Sequence, residues 1–361
     1  MGGIESHLYT LANELRDRVD LDVVVSNTRL STSRDVVRGV AVTRCGSAAT
    51  VASTSLSPSM VFELSQRDYD VLHLHLPHPM GVASYLASRK PPRHRLIVSY
   101  HSDVVRQQRL LALYAPLVER LLSRADAVIA TSPDYLESSP VLSRFREKCQ
   151  VVPYGIDLSL FRATPAIEQR ASEIRKRFPA KRLLIGVGRL IYYKGFEYAV
   201  RALAKVPDAH LLLVGDGPLR PNLEQLARDL GVSDRVHLMG EVHNDEIAPY
   251  YYASDVYLLP SIARSEAFGI VQIEAMACGL PVINTSLASG VPFVSRHEES
   301  GLTVPPEDPE ALAAAIRRLL DDEALRRRLG DAGRQRAERE FAKEVLAARL
   351  LALYEGRSAF A

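Results

Sequence analysis

Arg189 and Lys194 lie close together after the apolar run Leu183 to Val187, with Gly188 and Gly195 beside them. This spacing predicts a strand-to-helix loop at the C-terminal edge of a sheet, where open α/β proteins bind ligands. Two cations there suit a diphosphate. A departing nucleoside diphosphate gains negative charge in the transition state, so fixed positive groups aimed at it lower the barrier as well as binding it. The plainer alternative is that both cations face solvent.

A second group of candidates is the string Ser265 to Ile283. It places Glu266 on a loop after the strand ending at Pro260-Ser261, and it predicts a helix starting near Phe268 to Gly269 that contains Glu274. A loop carboxylate can accept hydrogen bonds from sugar hydroxyls, a helix N-terminus can receive phosphate, and a second carboxylate can hold a ribose diol. Ile270, Ile273, Met276 and Ala277 are expected to face the core. Gly2 and Gly3 open an amphipathic helix marked by Ile4, Leu8, Leu11 and Leu15, which is another phosphate-compatible turn or a plain one. His101 ends the apolar run Leu96 to Val98, which is expected to bring its ring near a cleft rather than into the core. His73, His75 and His78 lack a carboxylate or cysteine to complete a metal set; lining an acceptor site remains open to them. The turn Val214 to Pro218 reads as mainly architectural.

The elements that must position these groups alternate between apolar, β-rich runs and helical patterns, so the fold class is α/β with parallel sheets covered by helices. Strands are expected at Asp22 to Val25, Val40 to Thr43, Val71 to His75, Leu96 to Tyr100, Ala127 to Ala130 and Val151 to Val152. In the second half they are expected at Leu183 to Val187, His210 to Val214, Val236 to Met239, Val256 to Leu259, Pro281 to Ile283 and Leu302 to Val304. Two sheets follow. Pro153 to Asp157 marks the boundary, giving domains 1–157 and 158–342, with a helix in 343–361 returning toward the first. A Rossmann-like unit should place a strand before Gly2-Gly3. None is present, so either translation starts upstream, the preferred reading, or an interior strand is lacking.

Composition narrows the possibilities. With 47% hydrophobic and 24% charged residues over 361 positions, the chain is globular and long enough for two domains. Lys and Arg number 45 against 43 Asp and Glu, which gives no general reason to expect nucleic acid. Cys45, Cys149 and Cys278 are scattered, which indicates neither disulfides nor zinc and fits a reducing compartment. No window approaches the ~18 to 20 apolar residues of a membrane span, and no signal peptide is visible, so the expected location is the cytoplasm. A helix from Val104 to Ser123 carries Arg106, Arg109 and Arg120 beside many leucines; it is read as packed on the sheet, with contact to the inner face of the cell membrane left open.

The string from Glu266 to Glu274 resembles the paired-glutamate motif of glycosyltransferase family 4, and Gly188-Arg189 with Lys194-Gly195 resembles that family's phosphate loop. The resemblance covers essentially the whole chain. It implies the GT-B fold, two Rossmann-like doubly wound domains facing across a cleft, and a retaining, metal-independent transfer from a nucleotide sugar with no cofactor. Carried over to this sequence, it places Arg189 and Lys194 on the diphosphate and Glu274 on the ribose. Glu266 goes to the donor sugar, and the backbone of Ala267, Phe268, Gly269, Ile270 and Val271 to sugar and phosphate. Gly3 goes to the diphosphate, His101 beside the transferred sugar, and the segment Met239 to Val242 near the base. Arg264 to Glu266 with Ala288 to Pro292 is most similar to bacterial mannosyltransferases of surface polysaccharide assembly, which implies GDP-mannose and a glycan or lipid-linked acceptor. The alternatives are a UDP-sugar donor or a non-catalytic nucleotide-sugar-binding protein. An oxidoreductase would need a Gly-x-Gly-x-x-Gly turn after a strand, and no such unit occurs.

Overall fold

The computed structural model describes residues 3–51, 54–101, 108–178 and 182–359. The chain forms two compact units, Met1–Gly155 together with Lys343–Ala361, and Ile156–Ala342.

The first unit begins with α1 (Gly3–Leu15), β1 (Asp22–Ser26), β2 (Ser33–Val37), β3 (Val40–Cys45), β4 (Ala49–Val51), β5 (Thr54–Leu56) and α2 (Ser59–Ser65). It continues through β6 (Val71–Leu76), α3 (Pro79–Ala87), β7 (Arg95–Tyr100), α4 (Gln108–Arg124), β8 (Ala127–Ala130), α5 (Pro133–Ser138) and β9 (Cys149–Val151). The expected single sheet is divided here. β6-β7-β8-β9 form a parallel sheet, β1-β3-β2 a separate mixed one, and β4-β5 an antiparallel pair. Three strands escaped the sequence reading because they lack an apolar run: β2 reads Ser-Arg-Asp-Val-Val with its three central residues exposed, and β4 and β5 are short. The sheets stay apart because, among the described residues, no strand lies between the edge strands β1 and β6 to carry the ladder across. Both edges nevertheless pack on α2, where Met60 and Leu64 meet Val24 of β1 and Leu72 of β6.

The second unit runs through α6 (Pro165–Lys176), β10 (Arg182–Val187), α7 (Phe196–Leu203), β11 (Ala209–Val214), α8 (Arg220–Asp229), β12 (Val236–Gly240) and α9 (Ala248–Tyr252). Then come β13 (Val256–Leu259), α10 (Val271–Ala277), β14 (Val282–Thr285), α11 (Val291–Val294), β15 (Gly301–Val304), α12 (Pro309–Asp321) and α13 (Glu323–Glu340). Its six strands are all parallel, in the order β12-β11-β10-β13-β14-β15. Strand order runs outward from β10 in one direction and outward from β13 in the other, so the loops after these two strands diverge at a topological switch point, where open sheets create a crevice. Burial on both faces explains the continuous apolar runs, with every residue of β13 and β14 buried.

Helix starts follow local chemistry. Ser132, Thr164 and Asp308 each accept a hydrogen bond from the third residue of the helix that follows, with proline at its first position. Leu312, Ile316 and Leu319 give α12 a buried stripe, each side chain contributing about 1.5 to 3 kcal/mol of transfer free energy. The last helix, α14 (Lys343–Tyr354), belongs to the first unit, where Leu346, Leu350 and Leu353 join Leu11 and Leu15 of α1 over Ile97 and Ile129. Leu121 and Leu122 of α4 are fully buried on the opposite face, as the packed reading of that helix expects, while Val104 and Arg106 lie outside the described residues. Gly2 also lies outside them.

Fusing an apolar strand of ~5 to 6 residues ahead of α1 is expected to raise the melting temperature and slow hydrogen exchange along β1 and β6, by bridging the two open edges. Unchanged melting and exchange would show that these edges do not accept a strand between them.

Candidate active site

The chemistry-bearing residues of the second unit converge at the switch point. The loop after β10 carries Gly188 and Arg189, a 3₁₀ turn at Tyr192–Lys194 follows, and Gly195 leads into α7. The loop after β13 carries Glu266. The two loops are joined by a hydrogen bond from Ile262 N–H to the Tyr193 carbonyl at 2.9 Å. Gly195 has φ of 64°, and a Cβ there would lie 2.1 Å from the Pro260 carbonyl oxygen, so only glycine allows this approach.

The approach brings Lys194 Nζ to 2.5 Å from Glu266 Oε2, with each side chain only 10% exposed. Ser261 Oγ donates to the same carboxylate oxygen at 3.3 Å. Arg189 does not join this pair. It is exposed and makes no hydrogen bond or ion pair among the described residues. The site therefore offers one cation already neutralised by a carboxylate and one exposed to solvent. The turn Val214 to Pro218 is tied to this loop by backbone bonds from Leu190 N–H to the Asp216 carbonyl and from Leu219 N–H to the Leu190 carbonyl, which fits an architectural role.

The helix after Glu266 starts later than expected. Gly269 sits at φ of 74°, outside helical geometry, so α10 begins at Val271 rather than near Phe268. Ile273 and Met276 are fully buried, as expected of core-facing positions, whereas Ile270 and Ala277 are half-buried. Phe268 turns its ring inward against Phe293 and Phe341 and leaves only its backbone for a ligand. Ala267 accepts from Gly290 N–H at 2.7 Å. Glu274 is half-buried as a residue, but its carboxyl end meets the fully buried Tyr251, whose hydroxyl donates to Oε2 at 2.8 Å. Burial pushes that carboxyl up to about 7, against the opposing effects of the Tyr251 hydrogen bond and the Lys194 charge. Tyr251, Ser261, Gln272 and Asn284 were not singled out from sequence. Only Gln272 and Asn284 carry a visible signal, a polar side chain within an otherwise apolar stretch.

In the first unit, Gly3 is the first residue of α1. His101 departs from its expected position. Its ring is 3% exposed, with Nε2 2.9 Å from His75 Nδ1 and Nδ1 2.6 Å from the Tyr154 hydroxyl. Burial lowers its pKa to about 4, so the ring is neutral at pH 7. The strand continues as a buried layer through Tyr100 and His101, which draws the ring inward. His73 bonds Ser99 and Tyr354, and His78 caps α3 by accepting from Gly81 N–H at 2.7 Å. His73 is thus engaged at both ring nitrogens and His78 at Nδ1.

Residues 1–160 match the family model described as Glycosyltransferase Family 4, and residues 168–336 the one described as Glycosyl transferases group 1. The D-rhamnosyltransferase WbpZ of Pseudomonas aeruginosa is 36% identical over 270 residues, covering 74% of this chain and 69% of that protein. The chain belongs to glycosyltransferase family 4. It is a glycosyltransferase of the GT-B fold. A second relative of this family 4 chain is the GDP-mannose-dependent alpha-(1-6)-phosphatidylinositol monomannoside mannosyltransferase of Mycolicibacterium smegmatis, 27% identical over 99% of this chain and 95% of that protein. Among solved structures, sucrose-phosphate synthase from Thermosynechococcus elongatus superposes with a TM-score of 0.78 at 28% identity, covering 98% of this chain and 93% of that one.

The raised Glu274 pKa has a defined sign. The folded state holds this proton up to about 7 whereas an ordinary glutamate releases it near 4.5, so stability should fall as pH rises through that window. Glu274→Gln keeps an acceptor for Tyr251 and removes the titration. Melting curves from pH 4.5 to 7.5 are expected to show the variant gaining on the wild type as pH rises; parallel curves would contradict a buried, proton-holding carboxyl.

Proposed function

We propose that this glycosyltransferase moves a hexose, with mannose from GDP-mannose as the first candidate, to a glycan or lipid-linked acceptor in surface polysaccharide synthesis. The transfer proceeds with retention and without a metal. The observation that carries this reading is the Lys194–Glu266 pair: a phosphate-type cation and a sugar-type carboxylate, distant in sequence, meet at 2.5 Å beside the exposed Arg189.

In this scheme Arg189 receives the diphosphate and Lys194 adds positive charge where the leaving group becomes more negative. Because Glu266 already neutralises Lys194, the positive charge offered to an arriving diphosphate is that of Arg189. The backbone from Ala267 to Val271 and Glu266 take the donor sugar, Glu274 the ribose, and the loop from Met239 to Val242 the base. Gly3 serves the diphosphate, and His101 acts beside the transferred sugar once its bond to His75 or Tyr154 opens. The GDP-mannose dependence in the name of the Mycolicibacterium relative supports GDP-mannose, while the rhamnosyltransferase of Pseudomonas keeps a 6-deoxyhexose in contention. The acceptor is assigned to the inner face of the cell membrane, reached by a cytoplasmic enzyme through peripheral contact. No described helix is long and apolar enough to cross a membrane.

A donor panel of GDP-, UDP- and ADP-sugars, read by nucleoside diphosphate release with a glycolipid extract as acceptor, is expected to favour GDP-mannose. Preference for a UDP-sugar would overturn the donor assignment, and absence of release with every donor would favour a non-catalytic binder.

Arg189→Ala is expected to lower kcat by about tenfold or more with unchanged melting, since the side chain is exposed and has no partner among the described residues. Lys194→Ala should lower kcat and also destabilise by on the order of 3 kcal/mol, because it leaves Glu266 unpaired at low exposure. Wild-type turnover in folded Arg189→Ala would remove that residue from the mechanism.

Dialysis against chelator is expected to leave activity unchanged. Loss that magnesium or manganese restores would contradict a purely cationic site.

A further inference from the structure

Behind the Glu266 to Glu274 segment lies a polar network that plays no part in the scheme above. Gln272 and Asn284 are both fully buried. Gln272 Nε2 donates to the carbonyls of Phe268 at 3.3 Å and Val291 at 3.2 Å, and its Oε1 accepts from Asn284 Nδ2 at 2.8 Å. Asn284 Nδ2 also reaches the carbonyls of Val291 at 3.1 Å and Ser295 at 2.9 Å, and its Oδ1 accepts from Thr303 Oγ1 at 2.8 Å. Two buried amides would be costly if unpaired, and a pair of leucines would fill the same space without that requirement. Hydrophobic packing alone therefore does not account for them.

The bonds link segments that are far apart in sequence. One is the turn from Phe268 to Val271, whose backbone the proposed scheme gives to the donor. Another is the Ala288 to Pro292 loop, which is fastened to the same turn by the hydrogen bond from Gly290 N–H to Ala267 O at 2.7 Å. The residue after Asn284 serves the other end of the segment. Thr285 Oγ1 donates to the Ser261 carbonyl at 2.6 Å, and Ser261 Oγ donates to Glu266. Consecutive residues at the end of β14 thus support Glu266 on one side and the Phe268 to Val271 turn on the other. Any side chain at Gly269 would also press on Gln272 Nε2, which a Cβ would approach to 2.8 Å.

We propose that Gln272 and Asn284 are positioning residues for donor recognition, fixing the Ala267 to Val271 backbone and the Ser289 to Val291 loop as one preorganised wall of the site. This rests on the assignment of that backbone to the donor. Neither residue touches substrate; both act through the carbonyls they hold, so that the wall is set before the donor arrives.

The test separates positioning from packing. Gln272→Met/Asn284→Leu replaces both amides with apolar groups of similar length, a change that can leave stability nearly intact. The double variant is expected to lose about tenfold or more in kcat/KM, to raise the donor KM, and to speed exchange of the Gly290 amide. Leu319→Ala, a core variant in α12 destabilised at least as much, should keep wild-type kcat/KM below its melting temperature. Thr303→Val, a nearly isosteric change removing only the bond onto Asn284 Oδ1, provides the gentler test, with about a two- to fivefold loss in kcat/KM expected. Wild-type kcat/KM and wild-type Gly290 exchange in the folded double variant would overturn the proposal. Should that variant not fold, the same result in Thr303→Val would do so. If the wild type turns over no donor, the functional assignment fails separately, and Gly290 exchange alone decides whether the amide pair holds the loop.

Discussion

Everything distinctive about the second unit depends on how closely the loop after β10 approaches the loop after β13. The approach is possible because the strand order reverses between these two neighbours, and because Gly195 lets the Pro260 carbonyl come where any Cβ would block it. It places a lysine against a glutamate at 2.5 Å in a largely desolvated position. Such a pair gives little net stability, since the desolvation of both charges offsets most of their attraction. Its consequence lies in preorganisation: both charges are held in place without a ligand, and Arg189 beside them remains exposed.

Burial divides the remaining titratable groups by role. Glu274 faces the hydroxyl of Tyr251 and holds its proton up to about 7, so its charge state changes near neutrality. In the first unit, His7, His73, His75 and His101 pack together beside Tyr154, and burial lowers the pKa of each. These imidazoles stay neutral at pH 7, so within the described arrangement they serve as hydrogen-bonding groups rather than as cations. The ring of His101 is held by partners at both nitrogens, and any direct contact with a sugar requires one of those bonds to break.

The polar network around Asn284 shows the same economy at a fully buried position. Backbone carbonyls at Phe268, Val291 and Ser295 cannot all find partners within helices or strands, and two side-chain amides supply them. A hydrophobic core alone would leave the Ala288 to Pro292 loop without a fixed place relative to α10. The hydrogen bonds give it one.

The sequence by itself determined the α/β class, most strands of both units, the loops that carry Arg189, Lys194 and Glu266, and the helix that carries Glu274, because buried parallel strands are continuous apolar runs and glycine marks the turns after them. It could not reveal β2, whose edge position needs no apolar side chains, nor the division between β1 and β6, since strand pairing is a property of neighbours and not of runs. Only tertiary structure decided that Lys194 pairs with Glu266, that Tyr251 meets Glu274, and that His101 turns inward. Each is a contact across many residues of sequence, set by strand order and by the packing of helices on the sheet. Local composition reports how a residue prefers to be solvated; which partner it finds when solvent is removed depends on the rest of the fold.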